Sequence, residues 1–144
     1  MSNLALLLVL ALCMSQLLIT NAWPSQRYVI HIENKLSNQT LQAHCKFGDQ
    51  DLGLQHISPG EKFQRVFHIN LIWGTKVYFC NLSWPGGHRT FDAFTTKGNF
   101  GLERWHPYVY GQPDLYLLWQ AQDDGIYSFD GDEQKYNLQE TWGH

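Results

Sequence analysis

A small antiparallel β-sandwich of about seven or eight strands with one disulfide is the fold predicted by this 144-residue sequence. Three observations carry that prediction, the first two of them the all-β class. No segment beyond residue 22 sustains an apolar period near the helical value of about 3.6, and short β-branched and aromatic runs recur between turn signals. The third is cysteine arithmetic: three cysteines become an even pair once an N-terminal leader is removed.

The leader comes first. From Leu4 to Ile19 the chain reads LALLLVLALCMSQLLI, and no charged residue occurs before Arg27. The run ends in Thr20-Asn21-Ala22, with small residues at the two positions a signal peptidase reads, so residues 1–22 are expected to be a secretory signal peptide cleaved after Ala22. Its uninterrupted apolar part is shorter than the roughly 20 residues a spanning helix needs, which favours export over a membrane anchor. Residues 23–144 then form one extracellular domain, long enough to bury a hydrophobic core. Cys13 leaves with the leader. Cys45 and Cys80 remain, and in an oxidising compartment they are expected to bond, stabilising the fold by roughly 3 to 4 kcal/mol on the chain-entropy relation.

Within the domain, candidate strands run over Arg27–Ile32, Thr40–Phe47, Lys62–Ile69, Lys76–Trp84, Arg89–Thr95, His106–Tyr110, Leu115–Ala121 and Ile126–Phe129. Leu41, Ala43, Cys45 and Phe47 alternate with polar residues, as do Phe63, Phe67 and Ile69, with Arg65 interrupting that second apolar face. Ser58-Pro59-Gly60-Glu61 suits a type II turn, because Pro presets the first central φ and Gly supplies a positive second one. Pro85-Gly86-Gly87 reads as a loop. Asp124-Gly125, between YLLWQAQ and IYSF, is the strongest hairpin signal, on the expectation of a type I′ turn. Its two-residue register places Trp119, Ala121, Ile126 and Ser128 on one face and Leu118, Gln120, Tyr127 and Phe129 on the other, neither cleanly apolar, so a longer loop or a bulge stays open. Short strands at this spacing favour a sandwich over an open sheet, with a closed barrel as the alternative.

Charge and motif content narrow the function. The formal net charge is −3, and from Asp123 onward six acidic residues face only Lys135, which reads as a solvated, soluble end. No basic stripe tracks a phosphate backbone, so nucleic acid is not an expected partner. The stretch HCKFGDQDLG, residues 44–53, sets a histidine, a thiol and two acids close together. Adjacent strand residues point to opposite faces, so His44 cannot easily activate Cys45 as a nucleophile. Counted as an EF-hand from Asp49, the twelfth position is Gly60 where a bidentate Glu is required. The seven histidines show no HxH, HxxxH or CxxC spacing for zinc, and no GxSxG or phosphate-loop motif occurs. These patterns nominate no catalytic residue, cofactor or metal site, while two carboxylates or several histidines that meet only in space stay open on this reading. Six Trp, seven Tyr and eight Phe chiefly supply a core, with Trp73 and Trp105 the candidates for exposed aromatic contacts. Asn38-Gln39-Thr40 and Asn81-Leu82-Ser83 are N-glycosylation sequons, expected to carry glycans on a secreted chain.

The run HCKFGDQDLGLQHISPGEKFQRVFHINLIWGTKVYFCNLSW, residues 44–84, together with Val29-Ile30-His31-Ile32-Glu33-Asn34 and Asp124-Gly125-Ile126-Tyr127, resembles the plant self-incompatibility S1 family, the S-protein homologs. The resemblance lies in the order and spacing of an HC pair, an acidic stretch ending in DLG, a turn, an aromatic strand, YFC and a following Trp. It implies a small secreted β-sandwich without catalytic residues or cofactor, whose best-understood members are pistil ligands of a pollen membrane receptor in the rejection of self pollen. On that pattern Cys45 and Cys80 take the positions of the principal disulfide, and Asp49, Asp51, Leu52 and Gly53 those of the acidic loop. The chain departs from it in lacking the second cysteine pair many members carry, with Leu117 near one such position, and in Arg65 where an aromatic is usual. The expected function is a secreted, non-enzymatic recognition protein that binds a cell-surface receptor. The alternative is a lectin-like carbohydrate-binding module, and a small secreted hydrolase is the distant rival. The loops Gly48–Gln55, with Asp49 and Asp51, and Pro85–His88, with Gly86 and Gly87, are the candidate recognition elements, the first for charge and the second for mobility.

Overall fold

The computed structural model describes residues 2–20, 25–48, 50–70, 76–96 and 114–144. Among these described residues one helix, α1 (Ser2–Thr20), precedes nine strands: β1 (Ser25–Asn34), β2 (Leu41–Phe47), β3 (Gln50–Ile57), β4 (Lys62–Asn70), β5 (Lys76–Trp84), β6 (Gly87–Thr96), β7 (Leu115–Gln122), β8 (Gly125–Asp130) and β9 (Lys135–Thr141). Leu4, Leu6, Leu7, Leu8 and Leu10 on α1 are exposed. Among the described residues no helix is long and apolar enough to cross a membrane. The expected strand His106–Tyr110, the aromatic candidates Trp73 and Trp105, Asp49 and the cleavage point after Ala22 lie outside the described residues.

The strands form two sheets, β4-β1-β7-β8-β9 and β3-β2-β5-β6. One face of each meets the other, and strand alternation decides which residues do so. Tyr28, Ile30 and Ile32 from β1 and Leu115, Leu117, Trp119 and Ala121 from β7 are buried, as are Leu41, Ala43 and Cys45 from β2 and Tyr78, Cys80 and Leu82 from β5. Aromatic pairs bridge the sheets: Phe91 against Trp119 at 4.7 Å between ring centroids, and Tyr28 against Phe94 at 4.9 Å. Leu117, near the position where the resemblance led to the expectation of a second cysteine pair, is one of these core side chains. A shift in β6 register leaves Ala93 without a partner on β5, and this bulge turns both Ala93 and Phe94 inward.

Three expectations about strands need correction. The all-antiparallel arrangement fails at one pair, because β7 enters the five-stranded sheet beside β1 and runs parallel to it, from Tyr28↔Leu115 to Asn34↔Ala121. Most of the supposed loop 48–55 is strand β3, paired antiparallel with β2. The acidic end is not simply solvated, since it contains strand β9 and its acids are engaged. Asp123 accepts from Ser37 N at 2.9 Å and from Ser37 Oγ at 2.5 Å, and Glu140 accepts from Arg89 Nη2 at 2.8 Å.

The turns divide between agreement and revision. At Ser58–Glu61 the Glu61 amide donates to Ser58 O at 2.9 Å and Gly60 has φ 80°, as a type II turn requires. The β7–β8 hairpin instead turns at Asp123-Asp124, with Gln122 paired to Gly125, and neither aspartate has positive φ, so the turn is not type I′. The face assignment of Trp119, Ala121, Ile126 and Ser128 holds in the β7–β8 register. Gly125 serves a different purpose: a Cβ there would collide with the Glu140 carbonyl and lie 2.6 Å from Leu138 Cδ1 on β9. Gly125→Ala is therefore expected to destabilise the domain by about 1–3 kcal/mol, the usual cost of overpacking, with its effect concentrated at the β8–β9 edge. Urea unfolding combined with amide exchange of β9 checks this; an unchanged midpoint would contradict it.

Candidate functional site

The outer face of β2, β3 and β5 carries the stretch that sequence singled out. Cys45 and Cys80 stand directly opposite each other in the β2–β5 register, and their sulfurs are bonded at 2.04 Å with Cα atoms 4.0 Å apart. Both are buried, so the bridge forms part of the core while their neighbours face outward. His44 lies on that outer face, across from Asn81 on β5 and Leu54 on β3. The expectation that His44 and Cys45 point apart accords with this arrangement.

The DLG sequence forms a β-bulge. His44 pairs with Leu54 and Lys46 with Asp51, so Leu52 and Gly53 together oppose the single residue Cys45. Gly53 makes the bulge possible with φ 78°, a conformation that other side chains adopt at a cost. Asp51 Oδ1 fixes it by accepting from the Gly53 amide at 2.8 Å and facing His44 Nε2 at 2.6 Å, while Lys46 Nζ lies 3.9 Å from Oδ2. The extra residue also lets Leu52 pack against the core. Asp51 is thus a bulge-forming residue on a strand rather than part of a loop, although its side chain stays about half exposed at 51 %.

The bond from Gly53 N, then the contact with His44, holds the Asp51 carboxyl below the usual aspartate range. A depressed folded-state pKa gives a stabilisation present above the unfolded pKa and lost as pH falls through the folded one. Unfolding midpoints of wild type and Asp51→Asn are therefore expected to separate above about pH 4 and to converge in stronger acid. Parallel curves across that range would contradict the assignment.

The second candidate element also changes character. Trp84 pairs with Gly87, so Pro85-Gly86 is a two-residue turn of the β5–β6 hairpin. A Cβ on Gly86 would run into the Trp84 indole, and one on Gly87 would come within 2.7 Å of Trp142 Cβ and 2.9 Å of Gly143 O. Adjacent bonds join His88 and Gly143 in both directions, at 2.9 and 2.8 Å. The glycines allow close packing, which corrects the expectation of a mobile Gly86-Gly87 loop. Of the sequon residues, Asn38 is exposed in the β1–β2 turn with φ 57°, and Asn81 is exposed on β5, donating from Nδ2 to Thr90 Oγ1 at 2.7 Å. Among the described residues no three His, Cys, Asp or Glu side chains are grouped to hold a metal ion.

Two structural residues escaped sequence reasoning. Asn34 is fully buried and ties three turn segments together, and Trp142 donates from Nε1 to Gln122 O at 2.7 Å while stacking edge-on against Trp84. The sequence marked neither, because an asparagine ending a strand and a tryptophan beside the terminus carry no periodic signal.

A family model described as plant self-incompatibility protein S1 matches residues 29–142. The chain belongs to the plant self-incompatibility S1 family. S-protein homolog 4 of Arabidopsis thaliana is 27 % identical over 121 residues, covering 83 % of this chain and 75 % of that protein. S-protein homolog 21 of the same plant is 29 % identical, covering 88 % and 89 %. Among solved structures, a self-incompatibility protein homologue, from a family described as small, highly stable, secreted plant proteins, superposes with TM-score 0.60 at 18 % identity, over 85 % of this chain and 100 % of that one. For this S1-family member the match places Cys45, the bulge, Cys80 and Trp142 all within the family region.

Proposed function

We propose that this S1-family chain is a secreted, non-enzymatic recognition protein: residues 1–22 direct export, and residues 23–144 bind a cell-surface partner through exposed side chains on the sandwich. The observation that carries this reading is the family match over residues 29–142, which takes in both sheets. The likeness of fold to a protein described as secreted supports export. The cross-strand disulfide and the shared core give a rigid scaffold on which outward residues can vary without disturbing the interior. His44, Lys46 and Asp51 form one such solvent-facing polar group, braced by the bulge.

Binding of labelled mature protein to intact plant cells tests the proposal, measured beside thermal unfolding for wild type and the Asp49→Asn, Asp51→Asn double variant. Saturable binding that weakens in the variant more than stability falls assigns recognition to this group. Unaltered binding with a lowered melting temperature overturns its recognition role and leaves the bulge as architecture.

A further inference from the structure

Where β2 begins and β5 ends, a cleft of about 480 Å3 opens on the four-stranded sheet, lined by Gln39, Thr40, Gln42, Ser83, Trp84 and Pro85. Its walls offer two primary amides, two hydroxyls, an indole and a pyrrolidine ring, with no ionisable side chain. That composition suits a neutral, polyhydroxylated ligand: amides and hydroxyls exchange hydrogen bonds with sugar hydroxyl and acetamido groups, while ring surfaces pack against the C–H face of a pyranose. Trp84 also carries an unmet polar group, for its buried Nε1 has no hydrogen-bond partner.

Both glycosylation sequons reach the cleft. Thr40 and Ser83, which complete them, both line it. The two asparagines differ in direction. Asn81 turns its Nδ2 toward Thr90 on β6, on the side of β5 opposite to β2. Asn38 is exposed in the turn whose next two residues, Gln39 and Thr40, form the β2 wall of the cleft. We propose that the cleft seats the first N-acetylglucosamine units of an N-linked glycan on Asn38, holding that glycan against the protein instead of leaving it free in solvent.

This proposal rests on the reading that the chain is secreted, because N-linked glycans are added on that route. The full chain is expressed in plant cells and recovered from the medium, and glycopeptide mass analysis establishes occupancy of Asn38. Unfolding is then compared before and after enzymatic removal of glycans, for wild type and for a Gln39→Ala, Gln42→Ala variant that keeps both sequons. The expected result is a fall in Tm of about 4 °C on removal from wild type, a fall of less than half that in the cleft variant, and no such dependence on Asn81 in an Asn81→Gln protein. A change in the Trp84 indole resonance on glycan removal is expected alongside. An unoccupied Asn38 on protein found in the medium overturns the proposal while leaving secretion intact. Equal falls in wild type and cleft variant also overturn it, as does a glycan-free protein stabilised by free chitobiose when the native glycan contributes nothing.

Discussion

Replacing Asn34 with alanine is expected to lower the unfolding free energy by about 3 kcal/mol, from three lost buried hydrogen bonds at about 1 kcal/mol each. The side chain is completely buried. Its Nδ2 donates to Gln39 O at 2.7 Å and to Ile57 O at 2.8 Å, and its Oδ1 accepts from Leu36 N at 2.9 Å. Its backbone adds two further links, donating to Glu61 O and accepting from Gly60 N, both at 2.9 Å. One residue thereby joins the end of β1, the turn into β2 and the β3–β4 turn. Alanine would leave two carbonyls and an amide to find new partners in the interior. Asn34→Asp should be at least as damaging at neutral pH, because a carboxylate would face the two carbonyl oxygens that now accept from Nδ2. Denaturant unfolding of the mature protein measures both variants; a loss under about 1 kcal/mol for Asn34→Ala would show that the turns hold without it.

The second large effect belongs to the disulfide. The Cys45→Ala, Cys80→Ala double variant is expected to lose roughly 3–4 kcal/mol, on the chain-entropy relation for two cysteines 35 positions apart. The bridge lies at the centre of the four-stranded sheet, opposite the Gly53 bulge, so its loss also removes packing between β2 and β5. Secreted yield should fall with stability. A single Cys45→Ala variant would leave the Cys80 thiol without its partner, and disulfide-linked dimers are expected from it during secretion. A double variant with wild-type unfolding midpoint and yield would refute this account of the bridge.

Both effects bear on what could be read from sequence. Strand β2 was legible from its clear alternation, and Leu41, Ala43 and Cys45 are the residues found buried; β7 was legible as an apolar run without a clean face, and its place in the sheet selects Leu115, Leu117, Trp119 and Ala121 for the core. The cysteine pair was legible from counting alone. Strands β3 and β9 were not, and the reason is physical. Each forms an edge of its sheet, and apart from Ile57 on β3 neither has a buried residue, so hydrophobic burial left no period of two in their sequences. The DLG stretch misled for a related reason. Its Asp and Gly are ordinary turn residues, yet here they shape a bulge within a continuous strand, a distinction that depends on the partner strand. Gly125 and Gly86 read as turn or loop glycines, whereas steric approach by Glu140 and by the Trp84 ring is what excludes a side chain from them. Strand spacing supplied the sandwich class and family resemblance the order of motifs, and neither could supply the hydrogen-bond node at Asn34.

On the proposed function, this S1-family member works by binding at a cell surface. The most direct test is equilibrium binding of labelled, disulfide-intact mature protein to intact cells from different plant tissues, with excess unlabelled protein as competitor and reduced, alkylated protein as control. Saturable, competable binding to at least one cell type is expected, lost when the Cys45–Cys80 bridge is opened. Binding that stays linear with concentration in every tissue, or that persists unchanged in the reduced and alkylated protein, would contradict it.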